Sequence, residues 1–220
     1  MIKEIQKISD KIFNTFSEED KKNLSYYTTE GYKFVNTMVK DQSFHIDYTD
    51  MIEDEELKED PYTYNMIQDI IFVQGIIKSL DKVINQNMLK ENTTLYRGTN
   101  FEHFTNCKVG DTISFPVYTS TTLSRKVSDF FMKFADEPTL LEIEAEKGTK
   151  GYYVGTNTSN KSGDEEEFLL PRETMFEILD IKEENNKKVM KLKVLKRRKI
   201  NERYKENFSP RYRTYIRGFR

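Results

Sequence analysis

The stretch EEEFLLPRETMFEIL, residues 165–179, sets three adjacent carboxylates against an apolar run, breaks at Pro171 and starts a second apolar run. Both runs are short and bounded by charged residues, Pro or Thr, a pattern that predicts strands rather than helices. On a strand the side chains alternate, so Glu165 and Glu167 are predicted to share one face and Glu166 the other. Two carboxylates on one face repel unless solvent or a cationic group lies between them. Read alone, a charge run is more often a wet surface than a site, and the rest of the chain has to decide.

Outward from this stretch the strand pattern continues. TTLYRG (93–98), DTISFP (111–116), VYTSTT (117–122), TLLEIEAE (139–146), KGYYV (150–154) and KKVMKLKVL (187–195) are rich in β-branched or aromatic residues and punctuated by Gly, Pro, Asn or Asp. KEENNK (182–187) reads as a hairpin loop, and SRKVSDFFMKF (124–134) as a brief helix. The first ninety residues have a different period. Ile2, Ile5, Ile8, Ile12, Phe13 and Phe16 form one stripe, and Ile67, Ile70, Ile71, Gln74, Ile77, Leu80 and Ile84 form another after Pro61. SEED (17–20) carries a helix-start signal, and YYTTEGYKFVNTMVK (26–40) supplies further helical turns. DMIEDEELKED (50–60), with seven acids and one Lys, reads as an exposed loop or solvated helix. Helices first and strands second predict an α+β fold. The division is one domain over 1–195, helical over 1–90 with a β core over 92–195, and then a tail, 196–220.

The 220 residues include 15 Phe and 13 Tyr, enough aromatic surface to argue for a folded chain. The start, MIKEIQKISD, lacks the continuous apolar stretch of a signal peptide, and no window approaches a membrane span. Cys107 is the single cysteine, which excludes an intrachain disulfide and points to action in a reducing compartment, a cytoplasm. His45 and His103 have no partners at ligand spacing, so no metal site is expected. Gly148, Gly151 and Gly155 do not fit the Gly-rich dinucleotide fingerprint.

Arg97 is read as a strand-end residue, where a planar fork of donors beside the exposed backbone of Gly98 suits a phosphate; alone, a surface ion pair fits as well. Ser120 lies in a hydroxyl-rich strand, and such hydroxyls can hold a carboxylate in one rotamer. Arg97, then Ser120-Thr121-Thr122, then Glu165-x-Glu167 resemble the Arg, Ser-Thr-Ser and Glu-x-Glu signature of the mono-ADP-ribosyltransferases, the cholera-toxin-like branch. The likeness is nearest to iota-type actin-modifying toxins and phage-type enzymes. NTTLYRG, GDTISFPVYTSTTLS and EEEFLLPRETMFEIL are family-like beyond the signature letters, as is LSYYTTEGYKFVN (24–36). The resemblance covers residues 18–195 and departs at Thr122, where the family usually has Ser.

The resemblance implies N-terminal helices packed on a two-sheet β-sandwich, and transfer of ADP-ribose from NAD to an acceptor. Glu167 would face the ribosyl cation, Ser120 would hold Glu167, and Arg97 would grip the pyrophosphate. Glu165 would orient or deprotonate the acceptor, with Glu rather than Gln there going with arginine. Phe131 would lie against nicotinamide, although core packing explains it equally well. Tyr27, Tyr32 and Asn36 would face the NAD cleft, although helical tyrosines are more often packing. The loop VGTNTSNKSGD (154–164), rich in Ser, Asn and Gly and expected to be mobile, resembles the family's acceptor-recognition segment.

The net charge of −2 hides an asymmetry: residues 196–220 carry +8 and the rest −10. The tail alternates its cations with Tyr204, Phe208, Tyr212, Tyr215 and Phe219, which fits nucleic-acid binding or docking on the acidic body equally. Three readings stay open: an arginine-directed transferase, toxin or phage-borne, acting on a target protein such as a component of a nucleic-acid machine; an NAD glycohydrolase or a transferase acting on nucleic acid; and a non-enzymatic nucleic-acid-binding module.

Overall fold

Helices begin where the sequence offers acceptors to free backbone N–H groups. The computed structural model describes residues 2–41, 58–133, 135–158 and 165–196, with backbone alone at Asp41, Glu102 and His103. In it Ser17 accepts from the Asp20 N–H at 3.1 Å to open α2 (Glu18–Tyr26), and Asp60 accepts from Tyr62 and Thr63 to open α4 (Pro61–Asn85). Before them, α1 (Ile2–Phe13) lies half-buried, with Ser9 its one buried residue. The remaining helices are α3 (Tyr32–Asp41) and α5 (Arg125–Met132). The acidic segment before α4 falls, from 50 to 57, outside the described residues.

A π-helical turn, Tyr27–Gly31, joins α2 to α3. Such a turn widens the hydrogen-bond ladder by one residue and loosens nearby carbonyls. Thr28 and Thr29 answer this locally, their hydroxyls donating to the carbonyls of Leu24, Ser25 and Tyr26. Gly31 leaves room for the Tyr26 ring, which a Cβ there would meet at 2.1 Å.

Helix α4 buries Ile67, Ile70, Val73, Ile76, Ile77, Leu80, Val83 and Ile84 and packs on α2 and α3. The stripe is centred slightly off the expected one, since Ile71 and Gln74 are only half-buried on its flank. Among the described residues no helix is long and apolar enough to cross a membrane.

The eight strands are β1 (Thr93–Asn100), β2 (Thr112–Phe115), β3 (Thr119–Thr122), β4 (Pro138–Ala145), β5 (Tyr152–Tyr153), β6 (Glu167–Leu170), β7 (Thr174–Glu184) and β8 (Lys187–Val194). They form one mixed sheet in the order β2-β7-β8-β4-β1-β3-β6-β5, where only β4 and β8 are parallel. The fold is α+β, as expected, but hydrogen bonding joins all the strands into a single sheet rather than two. The reason is β1, which pairs with β4 along its whole length and with β3 at Tyr96–Thr122. The β7–β8 hairpin turns at Asn185 and Asn186, with φ of 50° and 61°, the left-handed pair that a tight two-residue turn requires.

Alternate residues of β6 enter different clusters. Phe168 and Leu170 pack with Phe176, Ile178, Met190 and Leu192, while Leu169 joins Tyr118, Tyr152 and the helices. Burial on both faces explains why FLL reads as a continuous apolar run.

Gly98 lets α5 approach β1. A Cβ there would lie 2.3 Å from the Ser128 carbonyl oxygen and 2.8 Å from Met132 Cγ. Gly98→Ala is therefore expected to cost about 1–3 kcal/mol, read as a lower thermal midpoint. An unchanged midpoint would mean that α5 does not seat here.

Candidate active site

Arg97 sits fifth of eight residues in β1, inside the strand rather than at its end. Its Nη1 donates to the Ser120 carbonyl oxygen at 2.6 Å, so the guanidinium fixes the neighbouring strand. Strand β3 pairs with β6, Ser120 opposite Leu169 and Thr122 opposite Glu167. Alternation therefore puts Ser120 and Glu167 on one face as diagonal neighbours. The Ser120 hydroxyl lies near enough to the Glu167 carboxylate to favour its ionised form.

Glu165 reaches the site by another route than the one expected. Strand β6 begins at Glu167, Glu166 has a left-handed φ of 47°, and Glu165 lies on a bend before it. Strand alternation thus does not relate the two carboxylates. Backbone contacts hold the bend in place: Thr122 Oγ1 donates to the Glu165 carbonyl at 2.7 Å, and the Leu123 N–H to the Glu166 carbonyl at 3.1 Å. Glu165 still lies close enough for its charge to act on Glu167. The Thr in place of Ser at 122 keeps its hydroxyl at work.

Burial pushes the Glu167 carboxyl up to about 7 and the Glu165 charge adds to this, against the Ser120 hydrogen bond and the Arg97 guanidinium. Burial likewise draws Arg97 below its usual value, opposed by Tyr27 and Glu167. A carboxyl ordinarily near 4.5 then keeps its proton to higher pH folded than unfolded, so its contribution to stability falls as pH rises from about 4.5 to about 7. Glu167→Gln is expected to gain thermal stability over the unsubstituted protein progressively through that window. A gap between the two midpoints that ignores pH would contradict this.

Tyr27 is buried where the π turn begins, and its hydroxyl donates to Asn36 Oδ1 at 3.2 Å. It lies within electrostatic reach of Glu167, Arg97 and Tyr32, and burial pushes its phenol up. The structure thus brings Tyr27, Asn36, Arg97, Ser120, Glu165 and Glu167 together, with Tyr32, 45% exposed, at their edge. Phe131 is 49% exposed and edge-on to Phe130, which rules out core packing, and among the described residues no hydrogen bond or ring contact joins it to this group. The Gly98 backbone is not open on all sides, because α5 covers it. Of the loop 154–164, residues 159–164 lie outside the described residues, as do His45, the His103 side chain and the tail from Arg197 on. Among the described residues no group of three or more His, Cys, Asp or Glu is placed to hold a metal.

One contributor was not singled out in the sequence. The Tyr118 ring packs edge-on to Tyr27, with centroids 5.4 Å apart, and its hydroxyl donates to Asp81 at 2.8 Å. Arg172 clamps the same carboxylate through Nε and Nη2. Arg172 follows LLP directly, but no spacing links it to Asp81, 91 residues away.

The ADP-ribosyltransferase exoenzyme family model matches residues 3–200, and the chain belongs to that family. It is 27% identical over 182 residues to the NAD(+)--arginine ADP-ribosyltransferase EFV of Enterococcus faecalis, an alignment covering 80% of this chain and 32% of that one. The chain thus spans about a third of that relative's length. In fold it resembles the Clostridium limosum C3 exoenzyme (TM-score 0.65, 18% identity, covering 89% of this chain and 95% of that one). It also resembles Plx2a, an ADP-ribosyltransferase toxin from Paenibacillus larvae (TM-score 0.63, 22% identity, covering 88% and 94%).

Proposed function

We propose that this chain transfers ADP-ribose from NAD to the guanidinium of an arginine on a target protein and releases nicotinamide. One observation carries the reading: Glu167 is held by Ser120, faces Arg97, and has a second carboxylate, Glu165, beside it. The relative named as an arginine enzyme supports the acceptor class.

The bond between nicotinamide nitrogen and ribose C1′ breaks, its electron pair leaving with nicotinamide, and positive charge develops on the ribosyl ring. A preorganised carboxylate aimed at that charge supplies most of the stabilisation, and this is the role of Glu167. Arg97 binds the pyrophosphate as a planar fork of donors. A guanidinium nitrogen then attacks C1′ and gives its proton to Glu165. Tyr27, Asn36, Tyr32, the Gly98 backbone and Phe131 line the NAD cleft in this reading. The sheet then acts as the two halves of a sandwich, with the helices packed on it and the cleft where β1 and β3 part. The catalytic unit is 1–195, carries 196–220 as a tail, and acts as a toxin in a cytoplasm.

The test is incubation with NAD, with and without a small guanidino acceptor such as agmatine, following free nicotinamide and the mass of the acceptor. Nicotinamide release with an ADP-ribosylated acceptor supports the transferase. Free ADP-ribose with an unmodified acceptor converts it to a glycohydrolase, and no release of nicotinamide overturns the enzyme.

A further inference from the structure

Asp81, in the last turn and a half of α4, gathers bonds that cross from the helices to the sheet. Arg172 reaches it from the connection between β6 and β7, with Nε 3.1 Å from each carboxylate oxygen and Nη2 2.8 Å from Oδ2. The Tyr118 hydroxyl lies 2.8 Å from Oδ1 and 3.1 Å from the Ile77 carbonyl oxygen, and its proton goes to the nearer carboxylate. Burial and the Asp81 charge push this phenol up, so it stays a donor throughout the working pH range. The turn that carries Arg172 is itself fixed. Glu173 has a left-handed φ of 60° and its N–H donates to the Phe115 carbonyl oxygen at 2.9 Å, while the Thr174 hydroxyl donates to the Pro171 carbonyl oxygen at 2.5 Å. A guanidinium fork on a fixed turn holds a carboxylate in one orientation, where a single donor would let it swing.

The bonds continue into the site. Tyr118 is buried, stands two residues before Ser120, and packs its ring edge-on against buried Tyr27 with centroids 5.4 Å apart. Tyr27 donates to Asn36 and lies within electrostatic reach of Arg97 and Glu167. Each step from Arg172 through Asp81, Tyr118 and Tyr27 to Asn36 is a direct contact. The chain of contacts joins two groups of site residues: Tyr27 and Asn36 from the helical part, Ser120 and Glu167 from β3 and β6. An edge-on aromatic pair has a preferred geometry, so a Tyr118 ring that shifts takes Tyr27 with it.

We propose that Asp81 and Arg172 are positioning residues for the dinucleotide: through the Tyr118 hydroxyl they set the spacing between Tyr27–Asn36 and Ser120–Glu167. The proposal rests on the reading of these residues as the NAD cleft. Neither Asp81 nor Arg172 touches NAD in that reading, and Tyr118 is the route by which they act on its binding.

The experiment is a double-substitution cycle on the full chain. Its readout is the dissociation constant for carba-NAD, whose carbocyclic ring in place of the nicotinamide ribose prevents cleavage, at a temperature well below every variant's thermal midpoint. Tyr118→Phe keeps the ring and removes the link, and Arg172→Gln removes the fork. Each is expected to weaken binding about tenfold, because small misplacements of binding groups are costly. The two together are expected to be no weaker than the weaker single variant, since both break one chain of contacts. Asp81→Ala, which cuts both bonds, is expected to match the double variant. If Arg172→Gln unfolds, Arg172→Lys, which keeps the charge and loses the fork, takes its place in the cycle. Lowered thermal midpoints with unchanged affinity would leave a merely structural clamp and overturn the proposal. Losses that add in the double variant would also overturn it, by showing that Arg172 acts along a route that avoids Tyr118. An unsubstituted protein that binds no carba-NAD and cleaves no NAD removes the NAD cleft itself, and this proposal with it.

Discussion

Replacing Glu167 by Gln is expected to lower nicotinamide release by about 10²–10³-fold while the protein stays folded and more stable above pH 7. The amide keeps the volume and can still accept a hydrogen bond from Ser120, so the variant removes charge and little else. That charge has been costly to keep: burial and the neighbouring Glu165 both favour the protonated form and hold the group near 7. A developing ribosyl cation is the partner that would repay a carboxylate kept under such pressure. The rate of the unsubstituted protein should accordingly rise with pH through about 7, following the ionised fraction of Glu167 in the free enzyme. Steady-state rates from pH 5 to 9 check both statements. Full activity in the variant, or a rate that falls across pH 7, would remove Glu167 from the chemistry.

Glu165→Gln separates the two halves of the reaction. Transfer to a guanidinium is expected to drop by about 10²-fold or more, since the attacking nitrogen loses the group that orients it and takes its proton. Cleavage of NAD with water as acceptor should persist within about threefold. The same change removes a like charge from beside Glu167, so the pH dependence of the residual hydrolysis should move to lower pH. Product analysis and a pH profile on one variant supply both readings. Loss of hydrolysis together with transfer would show that Glu165 serves the cation rather than the acceptor.

Much of this arrangement is visible in the residue pattern because strands and caps are local. Ser17, Asp60 with Pro61, and Asn185-Asn186 announce their turns and helix ends within four residues, and the structure puts elements where they say. The convergence of Arg97, Ser120 and Glu167 was readable through the family resemblance, while the pairing of β1, β3 and β6 that produces it is non-local. Three features were not legible. The left-handed backbone at Glu166 breaks the period-two rule that placed Glu165 and Glu167 on one face, and nothing in three consecutive glutamates marks which one turns. Arg97 reads as a strand end because Gly98 follows it, whereas Gly98 is there to admit α5 and the strand runs on to Asn100. The bonds from α1 to residues 153–157 span nearly 150 positions, beyond the reach of any periodicity.

The widened turn at Tyr27–Gly31 behaves as a phase shifter between two helical segments. Each residue of an α-helix advances the azimuth by about 100°, so in a regular helix Tyr27 and Asn36, nine positions apart, would point to opposite sides. The one extra residue taken up by the wide turn brings Asn36 round to where it accepts from the Tyr27 hydroxyl. Two side chains that a plain helix would hold apart thereby become neighbours.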